Sequence, residues 1–180
     1  AGGNPRKIQW SDRENNNLWT AAATNEAGSI ELQTSGVIQC GVRVQNQALI
    51  LTTTDAHTAT YSGPPYVYGV ERVGTSCGCV SAQGVAVVDM GAVWMGRESF
   101  FVYSGGTVQE LASDVSDYIY SDINVAQMSK IVAVSNAKFS EIRWFYPSAE
   151  STENNRYVAF NYQENTWTIG QIARTAAADA

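Results

Sequence analysis

A recurrence of 45 residues constrains the fold of this 180-residue chain more than any other feature of its sequence. In each unit a β-branched strand leads through a short polar turn into a second apolar strand, and the units begin at Val42, Val87 and Val132. The rest of each unit repeats more loosely as two further strands, the first of which ends in a tyrosine: Tyr61, Tyr103 and Tyr162. Four short strands at this period are typical of propeller blades. The sequence therefore predicts an all-β, propeller-like fold with three blades of four antiparallel strands.

The same pattern divides the chain into four parts. Residues 1–35 are predicted to form a partial blade, with strands near 8–12 and 29–33 on either side of a polar loop. Blade 1 is expected in 36–79, blade 2 with a connecting helix in 80–128, and blade 3 with a C-terminal tail in 129–180. The helix is predicted over 114–123, because Val115, Ile119 and Ile123 recur every four residues.

Three blades and a part are fewer than the 4 to 8 that typically hide the sheet faces of a propeller. Both ends of the chain, residues 1–3 and 175–180, consist of small residues that are typical of linkers. We therefore expect this chain to be part of a longer one, or neighbouring subunits to cover the open sheet faces.

Composition and charge disfavour two classes of function. Eleven Lys and Arg against 17 Asp and Glu give a net charge of −6, whereas a nucleic-acid-binding domain needs a cationic face. No segment approaches the roughly 18 consecutive apolar residues of a membrane span. Charged residues make up only 16%, against roughly 25% in typical soluble domains, and uncharged polar residues replace them. The expected surface is therefore polar and acidic, without a membrane segment.

The sequence offers weak candidates for catalysis. His57, the lone histidine, follows Asp55 by two positions in a hydroxyl-rich stretch, and we interpret it as a strand residue beside a turn aspartate, not as part of a catalytic triad. The carboxylate pairs 114/117 and 150/153 fall at a helix start and in a surface loop, where solvated side chains are expected. Gly105-Gly106 belongs to a hairpin turn and lacks the lysine and helix of a phosphate loop. We predict no catalytic, cofactor or metal site.

Cysteine and tryptophan each leave an alternative open. Cys40, Cys77 and Cys79 lack the spacing of a zinc site and are predicted to be buried free thiols, with a bridge from Cys40 to Cys77 or Cys79 as the alternative. Five tryptophans are predicted to pack in the core or between blades: Trp10, Trp19, Trp94, Trp144 and Trp167. The alternative is a sugar-binding platform, formed by these indoles with the predicted surface insertion 147–155.

Eight motifs resemble stretches of tailed-bacteriophage virion proteins, and their order holds from about residue 6 to about residue 175. They lie at 10–12 (WSD), 23–28 (ATNEAG), 61–66 (YSGPPY), 93–96 (VWMG), 100–103 (FFVY), 117–124 (DYIYSDIN), 143–148 (RWFYPS) and 153–162 (ENNRYVAFNY). The family is that of the tail hub, nozzle or DNA-stabilisation proteins of short-tailed phages.

The resemblance implies a non-enzymatic structural protein of the virion tail. Its partners would be copies of itself in a ring and neighbouring tail or portal-complex proteins, with the genome retained by the channel and passing through it during ejection. An acidic, polar wall agrees with such a channel, since it would not hold DNA phosphates. Two alternatives remain: a carbohydrate- or receptor-binding propeller module, and a hydrolase on a propeller scaffold.

Overall fold

The computed structural model describes residues 3–174 and 179, and it confirms the all-β, propeller-like prediction. The predicted linker-like ends fall mostly outside these residues. The N-terminal sheet pairs β1 (Lys7–Trp10) with β2 (Gly28–Glu31). Blade 1 contains β3 (Ile38–Val44), β4 (Gln47–Thr52), β5 (Asp55–Gly63) and β6 (Val67–Thr75). Blade 2 contains β7 (Val85–Val88), β8 (Gly91–Met95), β9 (Phe100–Ser104) and β10 (Thr107–Leu111). Blade 3 contains β11 (Val132–Asn136), β12 (Glu141–Tyr146), β13 (Arg156–Asn161) and β14 (Thr166–Gln171).

Within every sheet each strand pairs antiparallel with its neighbour in the chain. The chain then returns from the last strand of one blade to the first strand of the next. The first strands β3, β7 and β11 lie side by side, and the last strands β6 and β10 also meet. The Ala133 N–H donates to the Gln83 carbonyl at 2.7 Å and thereby ties β11 to the segment before β7. This radial arrangement is that of adjacent propeller blades.

The blades begin at Ile38, Val85 and Val132, at intervals of 47 residues (38, 85, 132). The 45-residue recurrence in the sequence locates the same three strands, but its valines occupy different positions within them. Val42 is the fifth residue of β3, Val87 the third of β7 and Val132 the first of β11. The hydrophobic period thus finds the repeated unit without giving its register.

The alternation of side chains in β8 explains how the middle blade is held. Val93 and Met95 pack toward blade 3, whereas Ala92 and Trp94 pack toward blade 1. A strand that is buried on both faces is a continuous apolar run, and β8 has this sequence. Blade 2 is therefore the centre of the described structure.

A short helix, α1 (Ser116–Asp122), connects blade 2 to blade 3, as predicted. Ile119 and Ile123 are buried and Val115 packs beside them. A 3-10 helix follows at Val125–Lys130, and a single 3-10 turn, Ala137–Phe139, separates β11 from β12. No helix in residues 3–174 is long and apolar enough to span a membrane.

Each sheet packs on the next one in the sequence: the N-terminal sheet on blade 1, blade 1 on blade 2, and blade 2 on blade 3. Ile8 of β1 packs on Leu32, Ile50 and Ala59 at the first contact, and larger clusters fill the two blade junctions. No comparable packing joins the N-terminal sheet to blade 3 in the part of the chain that the structure describes. The sheets therefore form an open array with an outward face at each end.

Candidate functional site

A cleft of about 1090 Å³ lies between the ends of blades 1 and 2. Hydroxyl side chains line much of it, among them Thr54, Thr75 and Ser99. Its charged residues have both signs: Asp55, Arg72, Arg97, Glu98 and Glu110. Such mixed charge gives the cleft no strong field of a single sign.

Asp55 lies at the wall of this cleft and is the centre of a buried polar cluster. Its Oδ1 accepts hydrogen bonds from Thr34 Oγ1 at 2.8 Å and from Thr52 Oγ1 at 2.5 Å. The Nε2 atom of His57 lies 3.2 Å from the same oxygen. Burial raises the pKa of Asp55, but the hydrogen bonds from Thr52 and Thr34, together with His57, outweigh burial and hold that pKa below its usual value.

This cluster does not have the geometry of a catalytic triad. The Thr34 and Thr52 hydroxyls donate to the carboxylate and not to the imidazole, whereas a nucleophile needs its hydroxyl beside the base. His57 is buried within β5, and its Nε2 has no hydrogen bond of good alignment. The arrangement orders the β4–β5 turn, because Thr52 Oγ1 also accepts from the Asp55 N–H at 2.9 Å.

The tryptophans do not form one surface. Trp94 and Trp144 are 0% exposed, and their indoles donate to the Cys77 carbonyl at 2.8 Å and the Gly84 carbonyl at 3.0 Å. The predicted packing between blades is thus confirmed for both. Trp167 packs on Phe160, with ring centres 4.6 Å apart. Only Trp19, at 46%, is an exposed indole among the described residues.

The segment 147–155 is only partly the surface insertion that the sequence predicts. Glu150 and Glu153 are exposed, but Asn154 is buried and its Nδ2 donates to the Lys130 carbonyl at 2.8 Å. Lys130 Nζ also lies 2.6 Å from Glu153 Oε1. The segment therefore supports the 3-10 helix 125–130, and its tip alone faces solvent.

The other sequence candidates are separate surface features. Asp114 and Asp117 are exposed at the start of α1, and Gly105 and Gly106 form the β9–β10 turn with positive φ angles. Among the described residues no group of three or more His, Cys, Asp or Glu could hold a metal ion.

All three cysteines are free thiols. Burial, aided by the nearby Asp55 carboxylate, raises the pKa of Cys77 to about 11. Cys77 and Cys79 are buried, so the prediction of buried free thiols is confirmed for these two. Cys40 is also a free thiol but is only half-buried.

The sequence did not reveal two aromatic surfaces. At the tip of the β5–β6 hairpin Tyr61 is 52% and Tyr66 81% exposed, and the Tyr68 ring lies 5.2 Å from Trp10 and 5.6 Å from Tyr61. The run of Tyr, Ser, Gly and Pro at 61–68 resembles the composition of binding loops, and this signal could have located the first surface.

The second aromatic surface lies on the outward face of blade 3. Arg143 donates to Glu141 Oε2 through Nε at 3.0 Å and Nη2 at 2.7 Å, and its guanidinium lies 5.6 Å from the Tyr157 ring centre. The Phe145 ring lies 6.1 Å from that of Tyr157, but it is buried beneath Arg174, so Arg143, Tyr157 and Arg174 form the surface itself. Arg143 and Phe145 alternate with the buried Trp144, as residues on opposite faces of a strand do.

With the fold and these surfaces described, the protein is defined as an open, propeller-like all-β protein. No family model matches the chain, and no curated protein matches it. Among the solved structures that this chain resembles, two show the following weak similarity. The 2S albumin seed protein from Dolichos has 13% identity over 75% of this chain and 68% of its own, with a TM-score of 0.37. The hemopexin-fold protein CP4 from cow pea has 12% identity over the same shares, with a TM-score of 0.35. Likenesses of this size carry no argument about function.

Proposed function

We propose that this chain is a non-enzymatic structural subunit of a bacteriophage tail, part of the hub or nozzle channel that retains the packaged genome and passes it during ejection. Its partners are copies of itself in a ring and neighbouring tail or portal-complex proteins. The proposal starts from the ordered resemblance over residues 6–175. The structural observation that supports it most is the open array, whose last sheet turns an arginine–aromatic face outward.

The outward face of blade 3 has the composition of a protein interface. Arginine and tyrosine are enriched at the energetic centres of interfaces. Here Arg143 is already held by Glu141 and lies over the Tyr157 ring, so little side-chain freedom would be lost when a neighbour binds. A neighbouring subunit packed on this face would extend the array beyond blade 3.

Assembly state is the direct test. We expect the purified protein to form rings or particles by light scattering and electron microscopy, with contacts that bury more than about 1,000 Å². Arg143→Glu should dissociate them, because it places a carboxylate beside Glu141. Arg97→Glu makes the same charge change at an exposed turn and serves as the control. A protein that stays monomeric at all concentrations would contradict the proposal.

The channel role makes a second prediction. Because the chain carries −6 and mostly uncharged polar residues, we expect negligible affinity for duplex DNA at physiological salt. Fluorescence anisotropy with a labelled duplex measures this. Sub-micromolar, sequence-independent binding would exclude a wall that lets DNA pass.

A carbohydrate- or receptor-binding module is the second candidate, and the exposed tyrosines of the β5–β6 tip favour it. Aromatic rings can stack on sugar rings, and Tyr61 and Tyr66 offer theirs to solvent. A monomer whose fluorescence is quenched by a saccharide, with loss of quenching in Tyr61→Ala/Tyr66→Ala, would favour this candidate over the first. Phe139→Ala, at another exposed aromatic residue, is the matched control.

A further inference from the structure

Two of the cysteines lie close together at the junction of blades 1 and 2. Cys40 belongs to β3, where it pairs with Leu51 of β4, and it packs against the buried cluster that contains Cys79. Cys79 lies in the connection between β6 and β7, and its N–H donates to the Thr52 carbonyl at 2.9 Å. Leu51 and Thr52, which are consecutive in β4, are therefore the backbone partners of two cysteines that are 39 positions apart (40 and 79).

The backbone around Cys79 is closely fixed. A Cβ added at Gly78 would lie 2.1 Å from the Thr53 carbonyl oxygen, so only glycine lets this connection run against β4. The Cys79 thiol donates to the Ser81 carbonyl, with Sγ 3.1 Å from the oxygen. The Cys79 sulfur is thus held in the buried cluster on which Cys40 packs and does not sample the solvent.

The two thiols differ in accessibility and acidity. Cys40 is half-buried, whereas Cys79 is only 2% exposed. The neighbouring Cys79 side chain lowers the pKa of Cys40 against the opposing effect of burial, while the same proximity, together with burial, raises the pKa of Cys79. Cys40 is therefore the thiol that a small reagent reaches and that ionises first.

We propose that Cys40 and Cys79 are a redox modification site, at which a low-molecular-weight disulfide such as oxidised glutathione converts the two thiols to an internal disulfide. The Cys40 thiolate attacks one glutathione sulfur, the glutathione S–S bond breaks, and one glutathione leaves as a thiolate. Cys79 then attacks Cys40 Sγ and expels the second glutathione. Two protein thiols are oxidised, two glutathiones are formed, and the two cysteine protons pass to them.

The disulfide would fasten β3, the first strand of blade 1, to the connection that enters blade 2. It would close a loop that runs from Cys40 to Cys79 and contains β4, β5 and β6. Closing a loop of this length in the unfolded chain stabilises the folded state, and the expected rise in Tm is about 5 °C or more.

Cys77 provides the control within the same chain. A Cβ at Gly74 would lie 2.7 Å from its Sγ and 2.8 Å from Val108, which places this thiol beside the last strands β6 and β10. It is buried, and it is not part of the Cys40–Cys79 contact. We expect it to remain a thiol throughout the oxidation.

Thiol counting and peptide mapping test the site. After oxidised glutathione at pH 8, denatured wild-type protein should titrate one thiol instead of three, with a Cys40–Cys79 linked peptide and recovery of three thiols after dithiothreitol. Cys77→Ser should fall from two thiols to none. Cys79→Ser should instead retain a glutathione on Cys40, which dithiothreitol releases.

Three thiols in the oxidised wild type, or a linked peptide that contains Cys77, would overturn the proposal. Because the wild-type count requires no substitution, a variant that fails to fold leaves the test intact. Circular dichroism before and after oxidation distinguishes a disulfide in the folded protein from one formed after unfolding, and loss of the β spectrum on oxidation would also count against the site.

Discussion

The two blade junctions have the same sheet-on-sheet geometry but very different contents. Between blades 2 and 3 the cluster is large and aromatic, with Phe100, Trp144, Tyr146 and Phe160 fully buried beside Ile119 of α1. Between blades 1 and 2 the side chains are mostly smaller, and the cluster contains Ala56, Ala92, Cys77 and Cys79 around a single buried indole.

Polar contacts accompany the smaller side chains of the first junction. Gln47 Nε2 donates to the Tyr103 hydroxyl across it at 2.5 Å, and the Asp55 cluster lies at its edge. The dispersion energy between packed rings grows with the number of atoms in contact. A buried hydrogen-bond network, in contrast, loses much of its stabilising free energy when one member is removed. The second junction should therefore be sensitive to lost volume, and the first to lost polar partners and to pH.

The largest effect is expected at the second junction. Trp144→Ala should lower the free energy of unfolding by about 3–5 kcal/mol, because it removes a fully buried ring that lies 5.0 Å from the Phe100 ring and donates to Gly84. Urea unfolding followed by circular dichroism measures it. Trp19→Ala, at an exposed indole, should stay within about 0.5 kcal/mol. Equal losses in the two variants would refute the assignment of Trp144 to the junction.

At the first junction Asp55→Ala should cost about 2–3 kcal/mol, because the Thr34 and Thr52 hydroxyls lose their shared acceptor. The same urea experiment applies, with the exposed Asp114→Ala as control. A loss no larger than that of the control would show that the network contributes little to holding the β4–β5 turn.

The pH dependence of stability should come from the same carboxylate. Its pKa is lower in the folded protein than in the unfolded chain, so its contribution is complete above the unfolded value of about 3.9 and is lost as the pH falls through the folded value. Stability curves from pH 6 to pH 2 should therefore fall less steeply below about pH 4 in Asp55→Asn than in the wild type. Parallel curves would contradict the hydrogen-bonded, ionised carboxylate.

A smaller effect is expected where α1 meets blade 2. The Tyr120 hydroxyl lies 3.1 Å from the Gly96 carbonyl oxygen and 2.8 Å from that of Ser99, at the β8–β9 turn. Tyr120→Phe should lower stability by about 1 kcal/mol. Tyr66→Phe removes a hydroxyl from an 81% exposed ring and should change little. A neutral Tyr120→Phe would mean that packing alone positions the helix.

The last prediction concerns the reactivity of the cysteines at the first junction and requires no substitution. Because the pKa of Cys77 is raised to about 11, its thiolate fraction at pH 8 should be about 100-fold below that of an ordinary cysteine. Alkylation by iodoacetamide, followed by mass spectrometry, should label Cys40 well before Cys77. Faster labelling of Cys77 would show that the first junction opens readily to solvent.

Patterns that depend on local periodicity were predictable from the sequence. The three strand quartets, the N-terminal pair and the helix with Ile119 and Ile123 all follow from alternation or four-residue spacing, which any local segment reveals. The register was not predictable, because valine suits every position of a buried strand. Val42, Val87 and Val132 accordingly occupy different positions within their strands.

Surfaces formed from distant residues could not be predicted in the same way. Asp55 depends on Thr34, which lies 21 positions earlier, and Cys40 meets a residue 39 positions later. The outward face of blade 3 has the same alternation as its buried face, so the sequence shows that Arg143 and Trp144 diverge but not which of the two faces is covered. Such pairings are set by how whole sheets stack.

Within each sheet, strands pair only with their neighbours in the sequence, and this has a consequence for how the chain folds. Each four-stranded sheet is complete once its own residues have left the ribosome, so little loop entropy must be lost before hydrogen bonds compensate for it. Blade 1 can form while blade 3 is still being synthesised, and each later sheet then docks on a finished template. Synthesis from the N-terminus would thus build the stack one layer at a time.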